Sequence, residues 1–350
     1  MNVQRSGARL TRLEFFKRTV IVLAVALAPV LLWFLFDVVL IVVGAVLVAI
    51  LLQLLADPFS RWARLPESAA LLIAGAIIAG AIGGAGYLFG TQIGAEMKDV
   101  LRRAGEAWQA INTQLQASDF GRLMLAHIQG GSGFSIPGFI SSLFSISASF
   151  LEAAVVTLIA GFYLAAQPAL YREGVSKLFP HDWRAAADDT VDHIGDALRL
   201  WLIGELMQMA VIGVLTTAAV WLIGLPSPLA LGVIAGIAEF IPYLGPIVAA
   251  VPAVLLASTK GTDALLYTAL AYLLIHQIEG NLAVPLIQRR MVFIPPAVML
   301  LGIVAILFVF GSVAVVFAAP IVVILYVAVE KLYIRERLGE EVTLPGEESE

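Results

Sequence analysis

Glu239 is a carboxylate inside an apolar run, Leu229 to Ala257, three residues before Pro242. An acid at membrane depth costs about 3 kcal/mol or more, so it marks a functional site or a built-in partner. Two roles fit it: a carboxylate on a transport pathway, or a structural acid that hydrogen-bonds backbone groups freed by Pro242. Gln277, Glu279 and Asn281 form a second polar group around Gly280. Their amide and carboxylate oxygens suit a hard cation or a polyol. The same residues also read as a helix C-terminal cap, with Gly280 at C′ and Asn281 tolerating the left-handed conformation. Arg289 and Arg290 follow. Such a pair anchors a cytoplasmic loop, or one member closes a salt-bridge gate over Glu279 or Glu239. Glu205 and Gln208, three residues apart, share one helical face and either line the pathway or sit at the interface. Asp189, Asp192, His193 and Asp196 also share a face, as metal ligands do and as any solvated acidic face does. His127, His181 and His276 are isolated in sequence.

The elements that must carry these groups belong to a membrane protein. The chain has 350 residues, 60% hydrophobic and 13% charged, with a mean hydropathy of +0.94. A soluble domain carries about 25% charged residues. The pattern predicts an all-α polytopic membrane protein of about eight membrane passes or helices. The absence of cysteine excludes disulfides and thiol catalysis. No cleavable signal peptide is expected, because the N-terminal apolar run is longer than a signal core. The net charge of −5 pools two sides of a membrane, and no charge block suggests a nucleic-acid partner. Zinc-protease, nucleophile-elbow and Walker A motifs are absent. An enzyme is therefore not expected, nor a catalytic residue, cofactor, metal or ATP coupling.

Residues 1–90 hold a basic N-terminus and three spans: Thr19–Phe36, Val38–Leu55 and Ala69–Phe89. The first two form a hairpin with Asp37 on the far side. Small residues at four-residue spacing, Ala76, Gly80 and Gly84, predict close packing of the third span. Residues 91–148 form a non-cytoplasmic amphipathic region. Met97, Val100, Leu101, Ala104, Trp108, Ile111 and Leu115 make one apolar helical stripe there, suited to lipid or a neighbouring subunit. Residues 149–200 hold a fourth span, Phe150–Ala166, and an amphipathic cytoplasmic helix, Trp183–Leu200. Residues 201–334 form a transport core that begins with a fifth span, Trp201–Leu225. Leu229–Ala257 is then broken by Pro242, Gly245 and Pro246. Each arm is shorter than the about 20 residues that cross a bilayer, so a re-entrant hairpin with its tip near Tyr243–Pro246 is expected. A sixth span, Ala264–Gln277, leads to a second interruption at 280–296. A final pair, 297–333, is either two spans or a second re-entrant hairpin. Residues 335–350 are an acidic tail. Basic flanks place both termini on the cytoplasmic side.

Three features together resemble the AI-2E (autoinducer-2 exporter) family of bacterial transporters. They are the FIPYLGPIVAAVPA stretch at Phe240–Ala253, HQIEGNLAVPLIQRRMVFIPP at His276–Pro296, and the layout of spans. The likeness covers nearly the whole chain. Phe293 stands where the family has a small residue, and Pro295 where a polar one is common, which implies a stiffer loop. The resemblance implies an inner-membrane protein, a homo-oligomer, and export of small signalling molecules or sodium/proton antiport.

From the residues, the first reading is a secondary transporter of small solutes coupled to a proton or sodium gradient, with a site at broken helices near the midplane. The alternative is a gated channel or passive pore formed by a homo-oligomer. The expected partners are an ion or small-molecule cargo and the lipid bilayer.

Overall fold

The computed structural model describes residues 34–88, seven positions between 102 and 117, and residues 148–283, 294–311 and 313–340. Every element in these segments is helical. Helix α1 (Phe36–Trp62) begins with Asp37 in its first turn and ends with Arg61 in its last. Each charge offsets the nearer pole of the helix dipole. Then follow α2 (Glu67–Leu88) and α3 (Ala148–Ala166). Pro168 starts α4 (Pro168–Ser176), and the chain turns by 93° between α3 and α4.

The amphipathic helix and the fifth span, expected as separate elements, are one helix. α5 runs unbroken from Arg184 to Ile223, 40 residues, and stops at Gly224 with φ 75°. Nothing in 184–223 breaks a helix, because its glycines are isolated and it holds no proline. Its length of about 60 Å is twice the hydrocarbon thickness of about 30 Å. The apolar half from Trp201 fits the bilayer, and the charged half, 184–199, extends beyond it.

The broken segment forms α6 (Pro228–Ala238) and α7 (Gly245–Lys260). α8 (Thr262–Ile278) continues as a π-helical turn, Glu279–Ala283. After α9 (Pro296–Phe310) the chain reverses at Gly311. A 3₁₀ turn, Val313–Phe317, leads into α10 (Ala318–Val329), which ends in a second π turn, Glu330–Arg335.

Phe36–Trp62, His181–Ile223 and Val313–Arg335 are each long and apolar enough to cross a membrane. A fourth crossing exists if Glu152–Ala166 and Pro168–Ser176 form one bent span. The expected total of about eight counts shorter helices as well.

Three helices make the central core. Val43 and Leu47 of α1 pack with Leu198, Trp201 and Leu202 of α5 and with Val323 and Val327 of α10. α2 and α3 lean on the other side of α1 through Leu52, Ala56, Ala70, Ala74 and Ala165. Of the small residues expected to pack α2 closely, Ala76 and Gly80 are exposed, and the surroundings of Gly84 lie outside the described residues; α2 packs instead through Ala70 and Ala74. A tight glycine contact joins α5 and α6. A Cβ on Gly232 would stand 1.8 Å from Thr217 Oγ1 and 2.6 Å from the Gly213 carbonyl oxygen. Only glycine permits that approach, which brings two helices close in lipid.

The apolar stripe Met97–Leu115 lies outside the described residues. Its polar neighbours Arg102 and Glu106 are described and pair at 2.7 Å, four residues apart and exposed. Both termini and Arg289–Phe293 also lie outside the described residues.

Candidate site of three buried carboxylates

The turn between α6 and α7 is built by its prolines and glycine. Pro242 cannot donate a backbone hydrogen bond, and α6 closes before it with Glu239 N–H on the Ala235 carbonyl at 3.1 Å. Tyr243 takes a left-handed φ of 66°, a strain that side-chain-bearing residues hold only where the surroundings enforce it. Pro246 stands in the first turn of α7, where its missing N–H leaves nothing unpaired. A Cβ on Gly245 would stand 2.1 Å from the Ala238 carbonyl oxygen, so this position closes the turn only as glycine. Pro242, Gly245 and Pro246 thus shape the backbone.

Protein covers most of this non-helical stretch, with Tyr243 41% exposed. Phe240 meets Trp201 edge-on at 5.8 Å, and Ile241 and Leu244 join the core shared by α1, α9 and α10. At the other end, Lys260 Nζ donates to the Gly224 carbonyl. Both ends of the α6–α7 hairpin therefore lie side by side.

Glu239 projects from this turn and is 3% exposed. Glu205 of α5, at 5%, and Glu279 at the end of α8, at 9%, are also buried. Three separate elements bring the acids within electrostatic reach of one another. No described lysine or arginine pairs with any of the three. Three buried anions without a cation would each forfeit hydration and repel the others.

His276 links this cluster to the outside. Its Nδ1 is 3.0 Å from Glu279 Oε2, with side chains 59% and 12% exposed. His276 is thus not isolated, as the sequence suggested, but stands one turn before Glu279 on the same face. Tyr272, one further turn back, belongs to the core between α5, α6 and α7. Its hydroxyl and Glu239 Oε2 are both buried without a hydrogen-bond partner among the described residues. The sequence did not single out Tyr272, although the spacing Tyr272, His276, Glu279 carries the helical signal.

The second expected cluster divides. Glu279 turns inward, whereas Gln277 and Asn281 are exposed and bond to each other's turn, Asn281 Nδ2 to the Gln277 carbonyl at 2.9 Å. The expected helix cap is absent. The helix continues through Gly280 as a π turn, and Gly280 has no left-handed φ. Gln208 is half-buried, one turn after Glu205. Arg290, and with it the expected gate, lies outside the described residues. Among the described residues, no group of three or more His, Cys, Asp or Glu side chains is arranged to hold a metal ion.

The acidic face of α5 is bound up in ion pairs. Asp189 binds Lys331, which is 6% exposed; Asp192 binds Arg172 of α4. Arg199 binds Asp57 of α1 at 2.5 Å. In the charged half of α5, outside the bilayer, the Lys331 ammonium holds the Asp189 carboxyl below its ordinary range.

A family model described as "AI-2E family transporter" matches residues 21–334. The chain is similar to "Putative transport protein YrrI" of Bacillus subtilis, 32% identical over 55% of this chain and 54% of that protein. It is also similar to "Putative transport protein YueF" of the same organism, 22% identical over 73% of this chain and 70% of that protein. A Thermotoga maritima "Putative transport protein" is 27% identical over 56% of this chain and 66% of that protein. The chain thus spans about half the length of the first of these relatives.

Proposed function

The chain belongs to the AI-2E family of transporters, and from that membership we propose that it is a secondary transporter of small solutes driven by a proton gradient, with Glu205, Glu239 and Glu279 as its proton-carrying site. The observation that carries this reading is the convergence of three buried acids, without a described basic partner, beside a half-exposed histidine. Transport driven by a proton gradient needs a group that takes up a proton on one side and releases it on the other. A carboxyl cluster enclosed between broken helices is such a group, and alternating access exposes it to each side in turn. The α6–α7 hairpin is re-entrant in this reading, and its turn reaches the site from one side. The protein resides in a bacterial inner membrane as a homo-oligomer, with both termini cytoplasmic, in keeping with the basic residues Arg61 at the end of α1 and Arg64 just after it.

Purified protein in liposomes with an imposed pH gradient and a lumenal pH dye tests this. Addition of sodium, or of one member of a panel of polar solutes, is expected to dissipate the gradient. Glu239→Gln is expected to keep the detergent-solubilised size and to slow dissipation about tenfold or more. Unitary currents independent of the pH gradient would replace this reading with a pore.

A further inference from the structure

α4 and the turn after it present an exposed apolar face. Leu170, Tyr171, Val175 and Leu178 are 58%, 40%, 41% and 83% exposed. At 100° per residue they fall on one side of the helix. Phe179 and Trp183 extend this surface at 42% and 66%. The opposite side is committed: Arg172 pairs with Asp192 of α5, and Ser176 is buried. Around the apolar face stand charged groups, Lys177 paired with Glu173 at 2.7 Å and Arg184 bonded to the Phe179 carbonyl at 3.3 Å.

The orientation comes from α3. Its exposed residues Val155, Val156, Ile159 and Tyr163 form one apolar stripe, the surface a spanning helix turns to lipid. A turn of 93° after such a helix lays α4 parallel to the membrane plane. Aromatic and aliphatic side chains on one face, with charged groups beside them, are what an in-plane helix at the headgroup–acyl boundary presents. Tyrosine and tryptophan favour that depth because one end of each ring is polar.

We propose that α4 and the following turn, residues 168–183, form an interfacial lipid-binding element. Leu170, Val175, Leu178 and Trp183 rest in the headgroup–acyl boundary while the other face holds α5. Through Arg172–Asp192 this fixes the protruding half of α5 relative to the bilayer surface. The proposal rests on α3 crossing the membrane.

The cysteine-free chain permits a direct depth measurement. Nitroxides are attached singly at Val175→Cys and Leu178→Cys in phosphatidylethanolamine/phosphatidylglycerol liposomes, with Ile159→Cys and Glu340→Cys as references. Access to oxygen and to a nickel chelate is read by power saturation. Both labels are expected to show an oxygen-over-nickel preference between those of Ile159 and Glu340. Values equal to Glu340 would place α4 in water, and values equal to Ile159 would make it part of a span. Protection from both reagents would show a protein cover. Each of these overturns the proposal. An Ile159 label as accessible to nickel as Glu340 would instead refute the crossing of α3.

Discussion

At the scale of single residues, the site depends on who stands next to each acid. Glu239 has no outlet of its own: it is buried, and one carboxyl oxygen lacks a described partner. Glu279 has an outlet, because His276 touches it and is exposed. The imidazole has one ring nitrogen that donates and one that accepts, and can pass a proton between water and Glu279. His276→Ala is therefore expected to slow proton flux several-fold. Glu239→Gln is expected to remove the pH dependence of flux. Proton flux in proteoliposomes measured over a series of pH values separates the two, and an unchanged rate for His276→Ala would exclude the relay. Glu239 and Glu279 were legible in the sequence as acids in apolar or interrupted segments. The role of His276 was not, because histidine one turn from a glutamate is common and only burial shows which face is used.

At the scale of elements, glycines distinguish a closed turn from a loose one. Gly245 seals the α6–α7 turn against the Ala238 carbonyl, whereas Gly280 has nothing within 4 Å. Gly245→Ala is expected to destabilise the protein by about 1–3 kcal/mol through overpacking. Gly280→Ala is expected to be neutral or to add about 0.5–1 kcal/mol, since alanine loses less freedom in a helix. Thermal unfolding in detergent reads both, and equal effects would show that the turn is not closed in this way. The hairpin gives a second expectation. Lys260 reaches the end of α5, so cysteines at Ser227 and Lys260 should react with an impermeant maleimide from the same side of the membrane. Labelling from opposite sides would turn α6–α7 into a span. Helix breaks at Pro242, Pro246 and Gly311 could be read from the sequence, since they depend on residue type alone. The unbroken α5 could not, because a change from polar to apolar composition does not end a helix.

At the scale of the whole molecule, ion pairs tie the protruding half of α5 to α1, α4 and the end of α10. Lys331 is buried, and Asp189 supplies its counter-charge. Asp189 titrates below its ordinary value in the folded protein. Its contribution to stability is therefore complete above the unfolded value of about 3.9 and is lost as pH falls through the lower folded value. Lys331→Met is expected to flatten the acid limb of stability against pH below about pH 4, read by thermal unfolding in detergent from pH 2 to 6. An unchanged limb would assign acid unfolding to other groups. The sequence by itself determined the class of the protein, its helical content and its broken segments, because hydropathy, proline and glycine act locally. It also marked Glu205, Glu239 and Glu279 one by one. Only the tertiary structure brought these acids from α5, the α6–α7 turn and the end of α8 to one place. It alone turned Gln277 and Asn281 away, paired Asp189 with Lys331, and brought the glycines of α5 and α6 together. Those outcomes depend on which helix faces meet, and distances between faces far apart in the chain are set by packing rather than by any one segment's composition.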